Sequence, residues 1–225
     1  MPTLLQHRLD PNSRFIRLIL NEYGVGVDLE DVSHWRRDAR LTDINPAATV
    51  PTLIENDLPA IIGISALLHF VEERYAPSKI AGLMPVGASA QAEMWRLLDW
   101  VLMKFNDEVT RYVLEEKIGK RELKHGTPDA SALRVAKANL AEHMQYFTYL
   151  LATRHWLGGE EMTLADFALA AQLSSLDYLG NINWDNSGDV KLWYARIKSR
   201  PAFRSLLGDR VAGMPAAASY ADLDF

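Results

Sequence analysis

The stretch Asn45-Pro46-Ala47-Ala48-Thr49-Val50-Pro51-Thr52-Leu53-Ile54 constrains this chain more than any other. Pro51 heads a short apolar run. A proline, having no N–H to give a sheet ladder, belongs at a strand's first residue or its edge. X-Pro bonds at such entries often take the cis form, so Val50–Pro51 is expected to be cis. Shortly after, Gly63-Ile64-Ser65 opens a helical pattern. Ser65 reads as the N-cap of that helix, whose free N–H groups can hold a carboxylate.

The flanking pattern completes a small sheet. Thr3-Leu4-Leu5 reads as a strand, and Asp10-Pro11-Asn12-Ser13 supplies turn and cap chemistry. A helix follows with Phe15, Ile16, Ile19, Leu20 and Tyr23 on one face, ended by Gly24. Val27 to Val32 is a second strand. Thr52-Leu53-Ile54 and Ala60-Ile61-Ile62 form a hairpin around Glu55-Asn56-Asp57, and Ser65 to Tyr75 is helical with Leu67, Leu68, Val71 and Tyr75 inward. A β-α-β half followed by β-β-α is a thioredoxin-like layout.

Pro77 to Gly87 reads as a linker, and helices dominate beyond it. Met94, Leu97, Leu98, Val101, Leu102, Phe105, Val109, Tyr112 and Val113 recur at helical spacing, giving one long amphipathic helix that Gly119 loosens and Gly126 ends. Thr127-Pro128 is expected to start the next helix, which stops before Gly158-Gly159. Thr163-Leu164-Ala165-Asp166 is a capping box opening the run Phe167 to Leu176. Shorter helices are expected at Val190 to Lys198 and Ala202 to Leu207. The fold class is therefore an α+β thioredoxin-like domain at 1–78 followed by an all-α domain at 88–225.

Composition excludes several functions. The 225 residues contain no cysteine, so disulfides, thiolate-bound metals and a cysteine nucleophile are ruled out. Net charge is -5, which favours neither nucleic acid nor anionic membranes. No apolar run approaches the ~20 residues of a membrane span. The opening Met1-Pro2-Thr3-Leu4-Leu5 lacks a basic segment followed by an apolar one, so a cytoplasmic location is expected. His7, His34, His69, His125, His143 and His155 show no paired ligand spacing, and no metal site is expected.

The order Asp10 to Arg14, Asn45-Pro46, Val50-Pro51, Ser65 and the box at Thr163 to Asp166 resembles the glutathione transferase superfamily over nearly the whole chain. The resemblance implies that Ser13 matches the hydroxyl that favours the glutathione thiolate. The alternative is that Ser13 only caps the first helix. Val50 matches the residue whose backbone pairs with the tripeptide, and Ser65 the one that holds its γ-glutamyl carboxylate. The superfamily usually places an acidic residue just before that serine, as partner for the ligand's ammonium group. Here Ile64 stands there, so binding should weaken unless Glu55 or Asp57 compensates. With Ile64 there, the resemblance implies weak or no glutathione binding, and Ser13 is catalytic only in an active transferase that uses glutathione as co-substrate.

A narrower resemblance lies in Asp10 to Leu20, Leu114 to Asp129, Leu150 to Gly159, Leu176 to Trp184, Trp193 to Arg210 and the ending Tyr220-Ala221-Asp222-Leu223-Asp224-Phe225. These segments are similar to the transferase-like division proteins of alphaproteobacteria that bind the tubulin-like protein FtsZ. That implies a homodimer contacting FtsZ filaments without catalysis. The alternative is an active transferase conjugating glutathione to small electrophiles. Two segments are candidates for a partner face. Trp35-Arg36-Arg37 carries residue types enriched at binding hot spots, the alternative being a mobile loop with one anchoring aromatic. Tyr220, Leu223 and Phe225 either dock back onto the helical part or form part of a partner surface. The charged run Glu115 to Glu122 is a solvated helix face or a partner-binding one. Met94, Met103 and Met144 read as core or dimer-seam filler.

Overall fold

The computed structural model describes residues 1–56, 58–77 and 82–223. Asp57 at the hairpin tip, part of the Pro77–Gly87 linker, and Phe225 lie outside the described residues. Four strands form a sheet ordered β2-β1-β3-β4. These are β1 (Thr3–Gln6), β2 (Asp28–Asp31), β3 (Thr52–Ile54) and β4 (Ile61–Ile62). β1 runs parallel to β2 and antiparallel to β3, with Leu4 opposite both Leu29 and Leu53. β1 is almost wholly buried, whereas Asp28, Glu30 and Asp31 put charge on the edge strand β2, which blunts edge-to-edge pairing. Pro51 enters β3 through a cis bond with Val50.

Helix α1 (Pro11–Glu22) connects β1 to β2, the four-residue α2 (Ala39–Thr42) follows β2, and α3 (Ile64–Tyr75) follows β4. The sequence reading has no α2, because one turn is too short to show a period. Two caps also differ from expectation. Asp10 rather than Ser13 caps α1, its carboxylate accepting from Ser13 N at 2.7 Å. Gly63, at φ 90°, is the cap of α3, so the helix begins at Ile64 and Ser65 is its second residue. A residue held at positive φ favours glycine over serine, which moves the cap upstream.

Beyond the linker, α4 is one continuous helix over residues 88–123. It is α-helical at Ala88–Asp99, Arg111–Leu114 and Lys120–Leu123, and π-wound at Trp100–Thr110 and Glu115–Gly119. The π-wound segment Trp100–Thr110 turns Val101, Phe105 and Val109, spaced by four, into the core. Helix α5 (Ala130–Leu151) is capped by Asp129, not by Thr127, and lies against α4. The buried α6 (Leu164–Tyr178) starts with the expected capping box. Asp166 there accepts from Thr163 N, Leu157 N and Trp193 Nε1, each at 2.9 Å. Helix α7 (Gly188–Lys198), a 3-10 turn at Pro201–Phe203, α8 (Arg204–Leu207) and α9 (Ala218–Ala221) complete the chain. One apolar core runs from Leu4, Phe15 and Leu53 of the sheet half to Phe105, Phe147 and Trp193 of the helical half. Met94 and Met144 belong to that core, while Met103 is 63% exposed.

A buried histidine sets a pH dependence. Trp100 Nε1 donates to His143 Nδ1 at 3.1 Å, so the other nitrogen carries the proton and faces Glu108 at 2.9 Å. Burial holds the His143 pKa below its ordinary value of 6.5 despite Glu108, and His34 is lowered by burial in the same way. The unfolded chain therefore takes up these protons first as pH falls. The two histidines contribute stability that is present above about pH 6.5 and lost as pH drops through their lower folded values. The urea midpoint is expected to fall between about pH 7 and about pH 5, with part of the slope removed in His143→Gln. An unchanged slope in that variant would contradict the assignment.

Candidate functional site

The residues matching a tripeptide site separate into two groups. At the mouth of β3, Val50 is buried and its peptide to Pro51 is cis. Ser65 is exposed in the first turn of α3, where no side chain caps the free N–H groups. These are the parts that would hold a peptide main chain and a carboxylate. The other group is closed. Ser13 is fully buried, and its hydroxyl accepts from His7 N at 3.4 Å. The Ile64 side chain packs against the main core. Glu55 accepts from Tyr75 and lies 3.6 Å from Arg74, both at the far end of α3 from Ile64. An ammonium desolvated beside Ile64 without a partner costs on the order of 1–3 kcal/mol. Ile64→Glu is accordingly expected to raise glutathione affinity about ten- to a hundredfold by calorimetry. Because Ser13 stays enclosed, no aryl-halide turnover should accompany that gain, and turnover by the variant would contradict this account of Ser13.

The two candidate partner segments, far apart in sequence, meet. Trp35 packs against a cluster containing Leu9, Leu114, Ile118, Tyr178 and Tyr220. Its indole lies on Gly119 of α4, so closely that a Cβ there would sit 2.8 Å from Nε1. The His34 ring lies tilted against the same indole, with centroids 3.9 Å apart, and His7 meets it edge-on at 5.0 Å. Arg36 and Arg37 project outward beside it. The tail divides between its two alternatives. Tyr220 is not a surface contact but fully buried, accepting from Arg14 at 2.9 Å and donating to Leu206 O at 2.6 Å. A buried phenol needs such partners, and the tail supplies them by folding back. Leu223, three residues on, is 43% exposed.

Sequence reasoning missed the groups that hold this face together. Glu122, at the end of α4, accepts from His7 Nε2 at 3.0 Å and from the Ser33 hydroxyl. Burial works against its charge, but those two hydrogen bonds hold its pKa below the ordinary carboxylate value. Beneath, Arg14 and Arg17 of α1 both reach Asp209 after α8, at 3.3 and 2.9 Å, with both arginines buried. The one signal available was Gly119, since a glycine inside a strong helical pattern usually marks a close approach. A cavity of about 370 Å³ opens here, lined by Arg8, Asp31, Ser33, Arg36, Glu122 and Arg210 among others. Most of its charges are already paired: Arg8 with Asp31 at 2.6 Å, Arg36 with Asp38 at 3.6 Å, and Glu122 with His7, while Arg210 donates to the carbonyls of Leu207 and Asp209. Among the described residues, no three His, Asp or Glu side chains come together as metal ligands. A preset mosaic of paired charges around a half-buried tryptophan suits recognition of a surface better than bond-making.

Comparison with known proteins agrees with this architecture. Residues 11–74 match the family model described as Glutathione S-transferase, N-terminal domain, and residues 121–210 the one for the C-terminal domain. The chain is 41% identical over 226 residues to FtsZ-localized protein A of Caulobacter vibrioides, covering 99% of this chain and 98% of that protein. It superposes on the structure of FzlA from C. crescentus with a TM-score of 0.94 at 40% identity, covering 100% of this chain and 99% of that one. A glutathione S-transferase from Sinorhizobium meliloti gives 0.95 at 38% identity, covering 100% of both chains. No helix among the described residues is long and apolar enough to cross a membrane. A sheet entered through a cis proline, a capping box at Thr163 and relatives matched end to end place this chain in the glutathione S-transferase superfamily, alongside FtsZ-localized protein A.

Proposed function

We propose that this protein is a cytoplasmic homodimer that binds FtsZ filaments, using the transferase fold as a scaffold rather than as a catalyst. One observation carries the reading: Trp35 of the loop, resting on Gly119, packs on the same apolar cluster as Tyr220 of the tail, while Ser13 is sealed from solvent. The relative named for its localisation to FtsZ, 41% identical over 99% of this chain, supplies the identity of the partner. The dimer draws on Met103 and Tyr149, exposed at 63% and 73% on neighbouring helices α4 and α5. Light scattering coupled to gel filtration should return twice the monomer mass of 25.3 kDa.

Co-sedimentation with FtsZ polymers tests the main claim. At about 10 μM, a range that detects micromolar affinity, this protein should pellet only when FtsZ is polymerised. Absence of polymer-dependent pelleting would remove the reading. A second reading, an active transferase, draws on the exposed start of α3 at Ser65 and the cis entry at Val50–Pro51. Retention on a glutathione resin with turnover of an aryl halide would favour it.

A further inference from the structure

On the side of that cluster formed by Tyr178, Leu179 and Met214, a groove runs along the last turns of α4 and the segment after α8. Two adjoining hollows form it. One, about 390 Å³, has a floor of Tyr178, Leu179, Met214, Pro215 and Ala217. The other, about 430 Å³, is walled by Glu116, Lys120, Arg121 and Lys124. Lys117 and Pro128 line both, so the two are continuous.

The charges along this groove are unbalanced. Glu116 is already committed, to Lys120 at 2.5 Å and to Asp129 N at 2.6 Å. Lys117 donates only to neutral acceptors, Leu179 O at 3.0 Å and Asn181 Oδ1 at 2.6 Å. Burial lowers its pKa, as expected for an ammonium without a counter-ion. Arg121 likewise donates to a carbonyl, Ala212 O, at 2.6 Å. Lys124 is exposed on the left-handed residue that ends α4. None of these three cations has a carboxylate within ion-pair distance among the described residues. On a chain of net charge -5, such a cluster is a local feature and not a reflection of overall charge. An apolar floor beside uncompensated cations matches a ligand that alternates apolar side chains with carboxylates. Nucleic acid would also be drawn to the cations, but the exposed floor lacks the open aromatic faces on which bases stack, since Tyr178 is 1% exposed.

We propose that the groove between the end of α4 and the segment 211–217 is a docking site for an acidic peptide segment with interleaved apolar residues, carried by the partner. The inference rests on the partner-binding reading above and assigns that partner's attachment chemistry. A fluorescein-labelled synthetic peptide of alternating Asp and Leu, about ten residues long, serves as the probe. Wild-type protein should bind it with an affinity that falls several-fold between about 50 and about 300 mM salt. The double variant Arg121→Glu, Lys124→Glu should weaken binding about tenfold or more. Lys124→Glu alone, at a side chain without partners to lose, should weaken it about threefold and guards against a folding artefact. Thermal unfolding of Lys124→Glu should match wild type, while the double variant, which loses the Arg121 bond to Ala212 O, should unfold somewhat earlier but stay folded at assay temperature. No peptide binding, binding indifferent to salt and to the variants, or tighter binding of a single-stranded oligonucleotide would each overturn the proposal. The double variant should also lose pelleting with FtsZ polymers. Pelleting at the wild-type level by that variant would overturn the groove while leaving the partner reading intact. Failure of wild type itself to pellet, with peptide binding preserved, would sink the partner reading alone.

Discussion

Asp209→Ala is expected to destabilise the protein by about 3–5 kcal/mol, measured as a large drop in urea midpoint. Asp209 accepts from Arg14 at 3.3 Å and from Arg17 at 2.9 and 3.1 Å, in surroundings where both guanidinium groups are almost without solvent. Deleting the carboxylate leaves two buried cations with only neutral acceptors: Arg8 O, Ser174 Oγ and Tyr220 Oη for Arg14, Gln6 Oε1 and Ser205 O for Arg17. The penalty comes from stranding charge, not from losing attraction. Replacing all three groups together, as Arg14→Met, Arg17→Met and Asp209→Leu, should therefore cost far less than Asp209→Ala alone. Since Arg14 also anchors Tyr220, Asp209→Ala should loosen the tail and speed its proteolytic trimming before global unfolding. A single variant as stable as wild type would refute this account of the cluster.

Trp35→Ala is expected to weaken recruitment to FtsZ polymers by about 2–4 kcal/mol, roughly 30- to 1,000-fold, enough to abolish pelleting at micromolar protein. Trp35 combines the largest apolar side chain on the proposed face with flanking exposed arginines, and it is held in place by His34, His7 and the bare backbone of Gly119. Preorganisation of that kind lowers the ordering cost on binding. Gly119→Val tests the same point without deleting the indole. A side chain there collides with Trp35, so the loop must shift, at a folding cost of about 1–3 kcal/mol. Both variants should remain folded and lose polymer binding together. Wild-type pelleting by Trp35→Ala would remove the loop from the partner face.

The boundary between what could be read early and what could not follows the range of the forces involved. Features governed by a few neighbouring residues were legible from the chain alone. The proline-headed strand, the capping box joining Thr163 to Asp166, and the long helix carrying Met94 to Val113 each state their own local physics. Even there the details moved by two or three residues. Gly63 displaced Ser65 as a cap, and Asp129 displaced Thr127, because backbone geometry decided between adjacent good candidates. The π segments were invisible because their side chains differ little from those of an α-helix, and packing against neighbouring helices selects the winding.

The sequence by itself determined the order of elements, the proline turn and the absence of any thiol, since each is a property of residues and their immediate neighbours. Only the tertiary structure decided that Ser13 is enclosed, that Tyr220 turns inward while Leu223 stays outside, and that Trp35 rests on Gly119. Arg14 and Asp209 stand 195 residues apart. Contacts at that separation depend on how whole helices close against one another, and no local period or cap carries that information.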